Sequence, residues 1–190
     1  MPPRGKITRD SIAEAAFRIA RARGAECVNA RSVAEELHCS TQPVLYHFAT
    51  VEEVRQAAYH RADRFHSAYL MTIPEDAAEP MLEIGLNYIR FAIEEPHLFR
   101  FLFQSGFAVE NSLLEMIDSA ELLPVLSAMR EEMNLNMEQT KDIFITLALF
   151  VHGYASILVN NALEYDEELI KKHLEKAYKG ALLATQEEMK

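Results

Sequence analysis

The segment that decides the fold has the sequence STQPVLYHF and covers residues 40–48. Ser40 is a good N-cap, because its hydroxyl can accept a hydrogen bond from an unpaired backbone N–H of a first helical turn. Pro43 is tolerated in that turn, where N–H groups have no partner within the helix. The spacing therefore predicts a short helix. Its apolar residues, which are predicted to face the core, are Val44, Leu45 and Phe48.

A helix this short is not stable alone, so the residues before it must support it. A first helix is predicted from a cap at Thr8 or Asp10 to about Arg23, followed by Gly24 at the position that favours a left-handed residue. A second helix is predicted over residues 30–37, with Asn29 as its cap and His38 and Cys39 in the turn that follows. Two short helices joined by a tight turn, with a preceding helix to pack on, form a helix-turn-helix.

Composition indicates a helical protein whose cysteines are reduced thiols. The chain has 190 residues, 49% of them hydrophobic, with only six Gly and seven Pro, which favours helices. No uninterrupted apolar stretch approaches ~18 residues and the N-terminus has no secretion signal, so a cytoplasmic protein without a membrane span is expected. Cys27 and Cys39 do not form a disulfide framework.

Charge is distributed unevenly along the chain. Residues 1–50 carry a net charge of +2 and residues 51–190 a net charge of −12, within a total of −10. This asymmetry favours two domains with different roles, divided near residue 50. Two solvent-exposed surfaces without any binding function would give the same distribution of charge.

The first 54 residues combine several motifs, which are Ile12, Ala16, Gly24, and residues 31–37, 39–48 and 52–54. Together they resemble the N-terminal domain of the TetR family of transcriptional regulators. The resemblance implies an all-α protein with a three-helix helix-turn-helix domain at 1–50 and a helical ligand-binding and dimerisation domain at 51–190. It also implies double-stranded DNA as a partner, with the third helix in the major groove.

The resemblance assigns DNA-binding roles to nine residues. Gln suits adenine, and Thr or Pro can contact the thymine methyl. Helix starts and basic side chains suit phosphates. The base-facing residues would be Thr41, Gln42 and Pro43; Tyr46 and His47 would reach phosphates or a thymine methyl; Ser40, Arg31 and the N-terminal Arg4 and Lys6 would bind phosphates. Tyr46 could instead cover the joint between the domains, and His47 could be a solvated neighbour.

The sequence departs from the family pattern at three positions. His38 replaces the usual Gly of the turn, Leu45 replaces a usual aromatic, and Val51 replaces a Lys that often begins the fourth helix. His adopts positive φ more readily than most residues, so the turn is still expected. With a charge of only +2 on this domain, weak non-specific DNA binding is expected.

The remaining 140 residues are predicted to form further helices. Residues 98–103 are apolar on nearly every side and should be buried or line a cavity. Pro96 and Gly106 bound that segment, and Pro124 is predicted to kink a helix. The predicted helices cover residues 51–71, 81–94, 113–133 and 137–161, and a last one begins after Asp166.

The larger domain is expected to hold a small-molecule effector and to form a homodimer. Ligand sites form between the helices of bundles. The candidate lining residues are Tyr88, Phe99, Phe103, Met116, Phe144 and His152. Each could equally be an ordinary core residue. The last two helices carry more apolar surface than one subunit needs, and the family resemblance implies a two-fold dimer through them.

No catalytic or metal-binding motif is present, so neither an enzyme, a cofactor nor a metal site is predicted. The first hypothesis is a dimeric, ligand-responsive DNA-binding regulator, most often a repressor in the family it resembles. The second is a helical module that binds a protein partner instead of DNA. A small-molecule-transforming enzyme is the third.

Overall fold

The computed structural model describes residues 7–77, 79–107, 117–118 and 122–188, and its regular elements over these ranges are helices. The all-α prediction is confirmed. A 3₁₀ turn at Ala25–Cys27 follows the first helix. The α-helices are α1 Arg9–Arg23, α2 Ala30–Glu36, α3 Thr41–His47, α4 Val51–Leu70, α5 Pro80–Glu94, α6 Pro96–Gln104, α7 Leu123–Met133, α8 Met137–Asn161 and α9 Glu167–Glu188.

Side-chain caps set the first residue of several helices. Thr8, Asn29 and Asn136 each accept a hydrogen bond from the third residue of their helix, and that residue bonds back to the cap's N–H. Each arrangement satisfies two backbone donors that would otherwise lack partners. Asp166 accepts from the backbone N–H of Leu169 at 3.0 Å, which begins α9 as predicted.

Two residues with positive φ form the predicted turns of the first fifty residues. Gly24 ends α1 with φ +95° and ψ 155°, a conformation that is essentially restricted to glycine and costs other residues about 1–3 kcal/mol. His38 has φ +51° in the turn between α2 and α3. His38 thus adopts the positive φ that the usual Gly of this turn would supply.

The chain forms two compact units. The first contains the described residues of Met1–Ala68 and Glu95–Ala108, and the second those of Tyr69–Glu94 and Val109–Lys190. Helix α6 therefore belongs with the N-terminal helices, and most of α4 does too. The functional boundary predicted near residue 50 remains a prediction.

In the first unit, α1 is the central helix. It contacts α2, α3 and α6, and its buried residues include Ile12, Ala16 and Ile19. Arg61 of α4 bonds to Glu14 of α1 at 2.8 Å and also pairs with Asp10. These ion pairs and the apolar core hold the short helices in place.

In the second unit, α5 packs against α8 and α9. A Cβ on Gly85 of α5 would lie 2.7 Å from Leu174 Cδ2 and 3.5 Å from Val151 Cγ1, so α9 and α8 approach its backbone closely. The buried amide of Asn87 donates to the carbonyls of Leu70 and Thr72 at 3.2 and 3.0 Å. These bonds satisfy a polar side chain inside the unit.

The prediction of a helix over 113–133 kinked by Pro124 was wrong about the role of the proline. Pro124 lies in the first turn of α7, which begins at Leu123. Proline fits there because the N–H it lacks has no partner within the helix. Pro96 likewise begins α6. Residues 113–116 and 119–121 lie outside the described residues.

Candidate nucleic-acid interface

Helix α3 is held by α1 and α2 through its inner face. Val44 and Phe48 are completely or almost completely buried, as the sequence predicts. The guanidinium of Arg9 lies 4.2 Å from the centroid of the Phe48 ring, and its Nη1 donates to the His47 carbonyl at 2.9 Å. The end of α3 is therefore fixed to α1 by both apolar and polar contacts.

The outer face of α3 consists of Thr41, Gln42, Leu45 and Tyr46, here called the reading face. These residues follow an i, i+1, i+4, i+5 spacing, so they share one side of the helix, and all four are exposed. Leu45 is 56% exposed and Tyr46 84% exposed. Pro43 is half-buried at the border of this face.

The prediction that Leu45 belongs to the core was therefore wrong. Val44 already fills the space against α1 and α2, and the next residue turns by about 100°. Tyr46 is 84% exposed, and its predicted phosphate contact and the alternative of covering a joint between domains both stay predictions. Its ring contacts His47 edge-on, with 5.1 Å between the centroids.

Ser40 begins α3 by position, but its side chain makes no capping hydrogen bond. The predicted cap was wrong in this respect. The exposed hydroxyl is left for other partners, which agrees with the predicted phosphate role without testing it.

His47 is half-buried and tied to the chain that precedes α1. Its Nε2 lies 3.2 Å from the Ile7 carbonyl oxygen. An open groove of about 390 Å³ runs along this side of α3. Its lining residues are Ile7, Ser40, Gln42, Pro43, Tyr46 and His47. Arg4 and Lys6, the predicted basic arm, lie outside the described residues.

The charged residues around α3 are mostly engaged within the chain. Arg31 Nε bonds to Glu35 at 3.0 Å, but both side chains are exposed, so this pair is weak and easily exchanged. Arg18 bonds to Glu36 at 3.0 Å, and Arg21 pairs with Glu95. Of the cations predicted to bind phosphate, only Arg31 lies within the described residues. Its weak, exposed pair with Glu35 leaves it available to a phosphate.

The first turn of α4 carries acidic side chains. Glu53 accepts from the Ala49 N–H at 3.0 Å, and Thr50 accepts from the Glu53 N–H at 3.1 Å, an arrangement close to a capping box. Glu52 lies 3.5 Å from Arg55. Carboxylates at this helix start interact favourably with the positive end of the helix dipole. Their negative charge reduces the attraction of the helix start for a phosphate.

The predicted ligand residues fall into two groups. Phe99 and Phe103 lie in the first unit with ring centroids 5.2 Å apart. Tyr88, Phe144 and His152 lie in the second unit. Met116 lies outside the described residues.

In the second unit, Tyr88 and His152 form a polar chain with Ser156, which sequence reasoning missed. The Tyr88 hydroxyl lies 2.9 Å from His152 Nδ1, and the Ser156 hydroxyl lies 3.3 Å from His152 Nε2. Burial raises the pKa of Tyr88 and lowers the pKa of His152, so both side chains are neutral at pH 7. The spacing of Ser156 four residues after His152 was a signal that could have found it.

The architecture is similar to that of solved transcriptional regulators. A TetR-family member from Streptomyces coelicolor A3 is 19% identical, with a TM-score of 0.58 over 93% of this chain and 98% of that one. A protein described as a TetR-family transcriptional regulator from a Rhodococcus species is 18% identical, with a TM-score of 0.61 over 92% of this chain and 98% of that one. The chain has the TetR fold. No protein-family model matches the sequence, and no curated protein is detectably similar to it.

Within the TetR fold, α3 is the second helix of the helix-turn-helix, the element that enters the major groove in helix-turn-helix proteins. The reading face is therefore the candidate nucleic-acid interface. One helix, Met137–Asn161, is long and apolar enough to cross a membrane by length and composition alone. This is weak evidence for a membrane span, because a helix that packs in a soluble protein meets the same criteria.

Proposed function

We propose that the protein is a DNA-binding transcriptional regulator, of the repressor kind most common in the family it resembles, that binds a palindromic operator as a homodimer and is released by a small molecule. The observation that carries this proposal is the exposed reading face of α3. The helix is anchored on its inner side by Val44 and Phe48 and leaves groups suited to base edges on its outer side. We expect it to act in the cytoplasm without catalytic activity.

The DNA contacts are proposed in three classes. Gln42 and Thr41 would contact base edges, Tyr46 and Ser40 would bond to phosphates, and Arg31 would exchange its exposed partner Glu35 for a phosphate. His47 would act differently from the sequence-based expectation. Its contact with the Ile7 carbonyl supports a role in which His47 positions the segment that leads to Arg4 and Lys6.

The proposed dimer forms through α8 and α9. Helix α8 is strongly apolar, yet only 22% of its most hydrophobic window is buried within the chain. Leu149 and Ile157 of α8 are more than half exposed, and Gly153 lies midway between them with open space around its Cβ position. A glycine at this position lets a second helix approach closely, and an isologous interface places two such stripes together.

The effector is proposed to bind in the second unit near the chain of Tyr88, His152 and Ser156. A few polar groups among apolar helices are typical of small-molecule sites. The two neutral side chains could donate or accept hydrogen bonds from an uncharged ligand. Binding would favour one arrangement of the helices and move the two copies of α3 away from the spacing of one DNA turn, about 34–36 Å.

A gel-shift titration with DNA that flanks the protein's own gene would test the proposal. We expect a shift by the dimer that weakens with salt and is lost on Gln42→Ala. Arg130→Ala, at an exposed position of α7, serves as the control and should leave the shift unchanged. Absence of any shift by the folded dimer would reject DNA binding.

A second candidate is a helical module that binds a protein partner. The acidic start of α4, with Glu52 and Glu53, and the paired arginines of the first unit favour it. It would be abandoned if the isolated protein protects a specific DNA site at physiological salt.

A further inference from the structure

The reading face contains no side chain that carries a full positive charge at any accessible pH. Its four residues are Thr41, Gln42, Leu45 and Tyr46, and none of them is Lys, Arg or His. Arg or Lys paired with guanine O6 and N7 is the commonest specific contact in the major groove. Helix α3 lacks this contact, so it has no strong means of selecting a G·C pair.

The groups that are present on the reading face match A·T pairs. The amide of Gln42 can bond to adenine N6 and N7 with both of its polar atoms. Leu45, which is 56% exposed, cannot form a hydrogen bond with any base, but its methyl groups can contact the 5-methyl of thymine. Thr41 adds another methyl group beside Gln42.

The spacing of Gln42 and Leu45 fits neighbouring base pairs. Residues three apart on a helix have Cβ atoms about 5–6 Å apart, and successive bases are about 3.4 Å apart along one strand. The two side chains can thus contact adjacent base pairs at the same time.

Two cations near α3 within the described residues, Arg9 and Arg31, do not change this selectivity. Arg31 lies on α2, and the first helix of a helix-turn-helix crosses the DNA backbone. Arg9 is held by the Phe48 ring and the His47 carbonyl. Both therefore lie away from the base edges, and Glu35 neutralises part of the charge on Arg31.

We infer that Leu45 is a specificity-determining residue and that the protein selects half-sites whose central base pairs are A·T, with Leu45 against a thymine methyl group. This inference rests on the proposed DNA-binding function and deepens it. It assigns to Leu45 a role in the DNA interface, at a position where the family usually has an aromatic side chain.

The test begins with selection of bound duplexes from a randomised DNA library by the full-length protein. Each thymine of the enriched site is then replaced by deoxyuridine, which lacks only the 5-methyl group, in both half-sites at once. Fluorescence anisotropy gives the Kd of the wild type, of Leu45→Ala, and of Leu123→Ala. Leu123 is a matched control because it is 55% exposed and lies on α7.

We expect A·T pairs at the centre of each half-site and one position where uracil weakens wild-type binding. One buried methyl group corresponds to about fourfold in affinity, so the two half-sites together give roughly 16-fold. Leu45→Ala should remove this difference between thymine and uracil, and Leu123→Ala should retain it.

Three outcomes overturn the inference and leave DNA binding intact: enrichment of G·C pairs, equal affinity for thymine and uracil at every position, or unchanged uracil sensitivity in Leu45→Ala. Absence of any enriched sequence has a different meaning. It would reject the proposed DNA-binding function itself, and the exposed Leu45 and Tyr46 would then belong to a protein interface.

Discussion

Replacement of Gly153 by leucine tests whether α8 forms the dimer. Nothing in the described chain lies within 4 Å of a Cβ built at Gly153. In an isolated protomer the Cβ atom of the new side chain therefore meets no neighbouring element of the described chain. The removal of a helical glycine should even stabilise the protomer by about 1 kcal/mol.

In a dimer that brings two α8 helices together at Gly153, the same substitution has the opposite effect. Overpacking costs about 1–3 kcal/mol per added side chain, and an isologous interface contains the substitution twice. The total of about 2–6 kcal/mol corresponds to a dimer weakened roughly 30-fold to 10⁴-fold. Sedimentation equilibrium over a range of protein concentrations would measure the dissociation constant of the dimer.

Gly85→Leu is the matched control, since Gly85 is also a helical glycine but its Cβ position meets Leu174 at 2.7 Å. It should lower the free energy of unfolding of each protomer by about 1–3 kcal/mol. An unchanged dimer constant for Gly153→Leu would refute the reasoning about α8. A wild-type protein that is monomeric at micromolar concentration would refute the dimer altogether.

Two further predictions concern pH and salt. Burial lowers the pKa of His66 from 6.5 to about 4. The free energy of unfolding should therefore have its full value above pH 6.5 and fall by roughly 2–3 kcal/mol as the pH falls to 4.5. Urea unfolding at pH 6.5 and pH 4.5 would measure this loss of stability. The variant His66→Phe should flatten the pH dependence of the free energy of unfolding. An equally steep loss in this variant would contradict the role given to His66. Arg31→Ala should reduce the slope of log K against log salt by about 1.8 per dimer, because each phosphate contact contributes about 0.9. Arg130→Ala, at an exposed position of α7, should leave the slope unchanged, and an unchanged slope in Arg31→Ala would exclude its phosphate contact.

The helix boundaries were the most predictable part of the fold. Caps act locally, so Asn29 and Asp166 mark helix starts in the sequence as clearly as in the structure. The prediction of a helix over 137–161 is confirmed at both ends. Proline was less informative, because it can either kink a helix or begin one, and only the surrounding chain shows that Pro124 begins α7.

The faces of short helices were harder to predict. In a seven-residue helix, both Val44 and Leu45 fit an apolar pattern, and the positions of α1 and α2 decide which of them is buried. Burial of Asn87 was missed because its partners, the carbonyls of Leu70 and Thr72, are distant in sequence. The exposure of Gln42 was predictable because its motif is local, whereas the exposure of Leu45 and the partial burial of His47 depend on packing. The role of Gln42 in DNA binding stays a prediction.

A hydroxyl-radical footprint on the selected operator tests the central claim most directly. If two copies of α3 read successive major grooves, the dimer should protect two windows on one side of the duplex, centred about 10–10.5 base pairs or a multiple of that distance apart. Both windows should disappear with Gln42→Ala. A single window, no protected window, or protection that Gln42→Ala leaves unchanged would contradict the account.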